Sequence, residues 1–558
     1  MTRMRLQSLV QAILFFSVCL WVLLYRLGEP NFYHVRNESR RAQIVREMVL
    51  SGNWLIPHLE QKPILTKPPL YYWAAALCSR GGVTEGSVRL PSALAGAGIM
   101  LLTMLLARAM FGNRGAWISG YVLLTTNFFM HQTRYAELEA LLALFTTAAV
   151  YCFWRGATAP SGAGRWFCLF YLMIGLGMMT KGPFALTFPL IPILGFSLLY
   201  KQSIMLIRRD ILLPSILFFI VVLPWSCVVM YHHPDFYKLV LWETVIRAAT
   251  GYVHQEPVYY YFVQLPREFF PWIFVLPCAA ILAITSRYAP MRRQLVFVLF
   301  WFFGNLVFMS LLKSKRDYYL FPLTPAAALL VSATWEGLWN WVCEKAGSWI
   351  AFLTKLLCPL GLICAGAAAV AGNPCEVNFP AIRFPEISPL LFFFACITLL
   401  PWCCRMLVPR VRIRQTVMAT IGIYMLASHY LYFTLTVPIR NAEDSGKAFY
   451  RAVSVIVPSD SAIGFLKDYE NYTFVYYAQR PVVLLKDEEE LLRFMASDEN
   501  RFVVLTGKAY SKLNNVPWPL VFRSPFAEHR SWRGYVLLCN QPVCNREKNV
   551  ARSGRYGT

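Results

Sequence analysis

Lys67-Pro68-Pro69-Leu70-Tyr71-Tyr72-Trp73 joins an extended polar segment to a long apolar one. Two successive prolines forbid a helix upstream and permit one to begin here. The Lys67 ammonium is thereby held at the rim of whatever the apolar part builds. What that part builds decides the fold.

Of the 558 residues, 57% are hydrophobic and only 15% charged, and the mean hydropathy is +0.46. A soluble chain of this length carries more charge. Many apolar runs approach or exceed the roughly 18 residues that suggest a membrane span. They are continuous rather than alternating, which argues against an outer-membrane barrel. The expected fold class is therefore a polytopic α-helical membrane protein. The net charge is +23, but the basic residues are scattered among the spans. That distribution points away from nucleic acid and toward anionic headgroups and phosphate-bearing lipids as partners.

The first apolar run, residues 8–25, follows Arg3 and Arg5 and lacks a small-residue cleavage site. It is expected to be an uncleaved span with a cytoplasmic N-terminus. Further spans are expected at 90–111, 115–132, 135–154, 166–180, 184–200, 211–231, 269–286, 294–312, 318–340, 349–371, 388–404 and 416–436. The total is about thirteen, which puts the C-terminus on the opposite side. Several loops rich in Arg and Lys fit a cytoplasmic placement. Lys67, Lys181, Arg247 and the run Lys313-Ser314-Lys315-Arg316 go against that rule, and anion binding is one reason for them to do so.

The reading divides the chain into a membrane domain over 1–436, with extracytoplasmic loops at 28–89 and 232–268, an α/β domain over 437–545, and a basic tail over 546–558. In the first loop, Asn37 is positioned to cap a helix running to about Leu50. Ile44, Val45, Met48 and Val49 would form its apolar stripe, as in a helix lying on a membrane face. In the α/β domain, Ala462–Leu466, Thr473–Tyr477, Val482–Leu485, Phe502–Thr506 and Gly534–Leu538 read as strands, and Asp487–Met495 as a helix. Cys539 and Cys544 would pair if this part is extracytoplasmic, and a pair of free thiols is the alternative.

The candidate chemistry lies on one rim. It comprises Asn37, Glu38 and Arg40, then Lys67, Glu139 beside Arg134 and Glu137, Lys181, Arg247, and Lys315 with Arg316. Tyr71, Trp73, Tyr318 and Tyr319 are the neighbouring aromatic groups. Acids in or beside spans are costly and usually functional. Departure of a lipid phosphate from a sugar develops negative charge, which Lys and Arg stabilise. A carboxylate takes the proton of an acceptor hydroxyl. Each residue also has a plain structural reading: Glu38 as a solvated partner of Arg41, Glu139 as a partner of Arg134, Lys181 as a snorkelling lysine, Lys313–Arg316 as a headgroup anchor, and the aromatic residues as an interfacial belt. His232, His233 and His254 lack metal-ligand spacing, and no nucleotide-binding signature is present.

An ordered set of motifs adds to this. Asn-Glu-x-Arg follows the first span, then come Lys-Pro-Pro-Leu-x-x-Trp, Val-Arg-Leu-Pro-Ser at 88–92, Arg-Tyr-Ala-x-Leu-Glu at 134–139, Thr-Lys-Gly-Pro, Leu-Pro-Trp at 223–225, and Ser-Lys-Arg-x-Tyr-Tyr-Leu-x-Pro at 314–322. The set resembles the GT-C glycosyltransferases of the ArnT and protein O-mannosyltransferase-like superfamily, closest to the lipid A aminoarabinose branch, over about residues 10–330. The resemblance implies a bacterial inner-membrane enzyme that moves a sugar from an undecaprenyl phosphate carrier to a periplasmic acceptor such as lipid A. Protein O-glycosylation, or a carrier flippase without catalysis, are the alternatives. It further implies that Arg40, Lys67 and Arg247 contact the carrier phosphate and that Glu139 is a second acid. The chain departs from the pattern at Asn37, where relatives usually have Asp. It departs again at Thr66 and Trp242, where aminoarabinose transferases have metal ligands. No metal or other cofactor is therefore expected.

Overall fold

The computed structural model describes residues 3–32, 37–201, 209–242, 246, 255–340, 413–438, 441, 446–466, 472–478, 480–513, 517–524 and 534–541. Two compact units emerge. The first comprises Met1–Tyr25, Leu65–Tyr71 and Ser92–Tyr432, and the second Arg26–Ile64, Tyr72–Pro91 and Phe433–Thr558. The loop over 28–89 is thus shared between them.

The first unit is helical. Among the described residues, five helices are long and apolar enough to cross a membrane: Glu85–Leu124, Leu138–Thr158, Ala163–Lys181, Arg209–His232 and Tyr288–Leu311. Shorter apolar helices are Val10–Leu24, Phe184–Leu199 and Trp272–Ala283. The expected spans at 90–111 and 115–132 are two helices that meet at a kink at Gly112, whose φ of 83° suits a residue without a Cβ; the second ends at Leu124, and Asn127–Gln132 follows as a short helix. The spans expected at 349–371 and 388–404 lie outside the described residues. Leu138–Thr158 and Ala163–Lys181 pack as an antiparallel pair. Their connection is only a few residues long, so the start of one helix and the end of the next must meet.

The second unit is built on sheets. A small hairpin pairs β1 (His58–Leu59) with β2 (Lys62–Pro63). Its turn residues Glu60 and Gln61 have φ of 57° and 63°, the left-handed conformation of a tight hairpin turn. Both of their N–H groups donate to the Glu47 carboxylate, at 2.9 and 3.2 Å. The larger sheet uses β3 (Ala462–Leu466), β4 (Val482–Leu485), β5 (Arg501–Thr506), β6 (Leu520–Arg523) and β7 (Tyr535–Cys539) in the order β4-β3-β5-β7-β6. β4, β3 and β5 run parallel, and β7 is antiparallel to β5 and β6. Glu488–Met495 is a helix whose N-cap Asp487 accepts from the Glu490 N–H, as its acidic first turn leads one to expect. Cys539 is disulfide-bonded, and Cys544 lies outside the described residues.

Three expectations are corrected in this unit. Thr473–Tyr477 is not a strand: Thr473–Ala478 is a helix with all six residues buried. Asn37 precedes the Glu38–Ser51 helix but makes no side-chain capping bond. The apolar stripe of that helix does not face a membrane: Ile44, Val45 and Met48 are buried, and the helix packs on Thr473–Ala478. A stripe suited to a membrane surface is equally suited to another helix.

Glu38 is the main surprise. It is buried rather than solvated. Arg89 grips both of its carboxylate oxygens, at 2.9 and 3.0 Å, and both side chains are 1% exposed. Arg89 also donates to the carbonyl oxygens of Leu27 and Pro30, at 3.1 and 2.6 Å. Nearby, Glu85 accepts from Lys447 and from the Tyr477 hydroxyl, each at 2.9 Å, and the Tyr477 oxygen accepts from the Phe32 N–H at 2.8 Å. Burial pushes the Tyr477 hydroxyl pKa far up, so it stays protonated and donating. These bonds tie segments distant in sequence into the second unit.

Removing one partner of a buried ion pair strands the other charge, at a cost of about 3–5 kcal/mol. Arg89→Met is therefore expected to lower stability by about that amount, while Arg89→Met with Glu38→Leu recovers most of it. Thermal unfolding of the detergent-solubilised protein checks this, and a double variant as unstable as the single one would contradict it.

Candidate functional site

In the first unit, the Ala163–Lys181 helix ends at Gly182, whose positive φ of 78° favours glycine. Pro183 follows, and the next helix begins at Phe184. This stop and restart fixes Lys181 in the last helical turn. Glu139 sits in the first turn of Leu138–Thr158. A cation at a helix C-terminus and an anion at an N-terminus are both favoured by the helix dipole. The antiparallel packing brings the two together, with Lys181 Nζ donating to Glu139 Oε1 at 2.6 Å. The Glu139 side chain is 2% exposed and that of Lys181 is 12% exposed. Lys181 Nζ also lies 4.2 Å from the centre of the Tyr319 ring and 5.7 Å from that of Tyr318, within cation–π range.

Lys181 faces an open cavity. Thr66, Lys67 and Pro68 line it from the proline stretch, Met178, Met179 and Lys181 to Phe184 from the helix junction, and Trp225, Ser226, Phe236 and Leu239 from the helices that follow. Two lysines more than 100 positions apart in sequence thus share one apolar-walled cavity. A small apolar pocket shares Lys181 and Phe184, and adds Leu142, Phe188, Met309, Leu312, Tyr319 and Pro322. Low-dielectric walls strengthen the attraction of the lysines for an anion.

The other expected site residues fall elsewhere. Asn37, Glu38, Arg40 and Trp73 belong to the second unit, and Trp73 donates its indole N–H to the Trp54 carbonyl there. Tyr71 is fully buried in the first unit. Lys315 is also buried, and donates to the Glu256 carbonyl at 2.9 Å, which pins one loop to another. The Arg316 guanidinium lies 6.0 Å from the centre of the Tyr318 ring. Arg247 lies outside the described residues. Arg134 donates to the backbone carbonyls of Val22 and Tyr25.

The donor set does not fit a metal ion. Thr66 lines the cavity with a neutral hydroxyl, Trp242 has no ligating atom, and no three His, Cys, Asp or Glu groups come together among the described residues. Trp225, Ser226 and Phe236 were not singled out from the sequence as site residues, although Leu-Pro-Trp at 223–225 was visible as a motif. Arg89 was visible in the same way. Its signal is an arginine in the first two turns of a long apolar helix, where a charge requires a partner.

Comparison with known proteins follows this geometry. The helical bundle, with its unit on a mixed sheet, superimposes on the crystal structure of ArnT from Cupriavidus metallidurans bound to undecaprenyl phosphate. The TM-score is 0.75 over 96% of this chain and 98% of that one, at 19% identity. The fold is therefore the helical membrane GT-C fold. Residues 12–240 match the family model described as dolichyl-phosphate-mannose-protein mannosyltransferase. The undecaprenyl phosphate-alpha-4-amino-4-deoxy-L-arabinose arabinosyl transferase 2 of Proteus mirabilis is 32% identical over 305 residues, which is 53% of this chain and 54% of that protein. The corresponding transferase of Serratia proteamaculans is 28% identical over 372 residues, 64% of this chain and 65% of that protein. The matched stretch thus spans between half and two thirds of these curated relatives. In sequence the chain is similar to these arabinosyl transferases, and in fold to ArnT.

Lys181→Met and Glu139→Gln are each expected to lower the melting temperature, and the double variant to lose less than the sum, because the two act as one unit. Melting curves of the wild type and the three variants check this, and strictly additive losses would contradict it.

Proposed function

We propose that this protein is a polyprenyl-phosphate-sugar-dependent glycosyltransferase of the inner membrane. It moves a sugar from an undecaprenyl phosphate carrier to lipid A or another envelope acceptor on the periplasmic side. The observation that carries the reading is the sharing of one cavity by Lys67 and Lys181, with Glu139 paired to Lys181. The likeness to arabinosyl transferases acting on undecaprenyl phosphate sugars supports the donor class.

In the proposed reaction the carrier phosphate enters the cavity between Lys67 and Lys181, and part of its isoprenoid chain lies in the adjoining apolar cavity. The bond between the anomeric carbon and the phosphate oxygen breaks, and the electron pair leaves with the phosphate. The two lysines stabilise that charge. A new bond forms from the anomeric carbon to the acceptor oxygen. An acceptor phosphate is already an anion at neutral pH and needs no base. An acceptor hydroxyl gives its proton to a carboxylate, and Glu139 is the one proposed to take it. Arg247 is assigned to the same phosphate, and Tyr318 and Tyr319 to the sugar. The engagement of Glu38 by Arg89 favours a positioning role for it over that of a base. The match to the mannosyltransferase family model keeps a protein hydroxyl as the second acceptor class.

The proposed topology has about thirteen transmembrane helices and a cytoplasmic N-terminus, with the second unit, including its α/β domain, in the periplasm. The disulfide at Cys539 supports an oxidising location for that unit.

Mass spectrometry of envelope lipids from cells with and without the protein tests the function. A glycosylated lipid present only with the protein is expected. Lys67→Ala should abolish it while the protein remains folded and in the membrane. Full turnover by purified Lys67→Ala would remove the cavity from the mechanism, and transport of carrier without transfer in proteoliposomes would replace the enzyme with a flippase.

A further inference from the structure

The Leu138–Thr158 helix carries Glu139 in its first turn and spans 21 residues. At 1.5 Å per residue its far end lies about 30 Å away, the thickness of a bilayer core. A second cavity opens at that far end. It lies between the ends of Leu138–Thr158 and Phe184–Leu199 and the start of Arg292–Leu299, at the end of the bundle away from Lys181.

Its lining has two characters. One wall is aromatic: the Phe297 ring packs against Phe153, Trp154 and Phe196 at centroid distances of 6.3, 5.4 and 5.8 Å, and the last three rings line the cavity. The rest of the lining is polar, with Arg293 and Thr158 exposed, Gln294 half-buried and Ser197 buried. Arg293 is exposed and lies 5.5 Å from the centre of the Tyr200 ring. No Asp or Glu lines the cavity. At the same end of the bundle, Arg155 and Arg165 lie 5.0 and 5.7 Å from the centre of the Trp166 indole. A ring beneath a guanidinium satisfies one face of it and leaves its edge donors for an oxyanion.

A soluble anion needs only the polar lining. The aromatic wall adds an apolar surface directly beside the cation, which suits a ligand with a phosphate at one end and hydrocarbon at the other. Basic pockets between membrane helices on the cytoplasmic side are suited to such headgroups. We propose that this cavity binds the phosphate headgroup of an anionic membrane phospholipid from the leaflet opposite the Lys67 cavity. Arg293 takes the phosphate, Gln294, Ser197 and Thr158 take the headgroup oxygens, and the upper acyl chain lies on the aromatic wall. This inference does not depend on the transfer reaction proposed for the other end.

Native mass spectrometry of the full-length protein tests it, with phosphatidylglycerol, phosphatidylcholine and inorganic phosphate as probes. The expected result is selective retention of phosphatidylglycerol over phosphatidylcholine. Retention should fall at least about fivefold in Arg293→Glu, a size consistent with losing one cation near an anionic headgroup. Arg108→Ala removes an exposed basic residue outside the cavity and should not change it. Arg293→Gln, milder in charge, should fall between wild type and Arg293→Glu, and it provides a folded reference if Arg293→Glu fails to fold. Equal retention of the two lipids, or wild-type retention by a folded Arg293 variant, overturns the proposal. Protection by inorganic phosphate with no lipid adduct overturns the lipid as the source of the anion.

Discussion

The ion pair between Lys181 and Glu139 is the contact on which the first unit's chemistry depends. Neither residue would tolerate its place alone, because an isolated charge at 2% or 12% exposure is expensive to bury. The pair exists because two consecutive helices run antiparallel and one stops abruptly at Gly182-Pro183. Helix dipoles, a cation–π contact with Tyr319 and the short connection all favour the same arrangement. The outcome is a lysine that is compensated at rest yet lines a cavity. In the proposed reaction an incoming phosphate competes with the Glu139 carboxylate for Lys181.

The second unit uses buried charge differently. Glu38 with Arg89, and Glu85 with Lys447 and Tyr477, have their partners built in. Such pairs add little net stability over well-packed apolar residues. What they supply here is register: Arg89 also reads the carbonyls of Leu27 and Pro30, so only one placement of that segment satisfies the guanidinium. Two acids that look alike in sequence, Glu38 and Glu139, thus have different environments, one locked in both oxygens and one beside a cavity lysine.

Much of this was legible in the chain. The proline stretch after Lys67 and the Thr-Lys-Gly-Pro junction both carry explicit stop and start signals, and both place their lysine as those signals require. The strands at 462–466 and 482–485 follow their β-branched and apolar patterns. The misreadings have physical causes. Thr473–Ala478 is rich in β-forming Phe, Val and Tyr, but full burial and the contacts of Tyr476 and Tyr477 override that preference. The stripe of Glu38–Ser51 fits a membrane or a protein face equally well, and periodicity cannot distinguish them. The Arg89–Glu38 pair spans 51 positions, and sequence spacing alone does not reveal such a contact. The short strand Leu520–Arg523, which follows Pro517, Trp518 and Pro519, was not read as one.

The central claim is that Lys67 and Lys181 form one anion-binding cavity. Calorimetric titration of the purified protein with undecaprenyl phosphate tests it most directly. A hydrogen bond to a charged group contributes about 1.5–3 kcal/mol, so replacing either lysine by glutamine should weaken binding by roughly ten- to a hundredfold. Wild-type affinity in both folded variants would contradict the account.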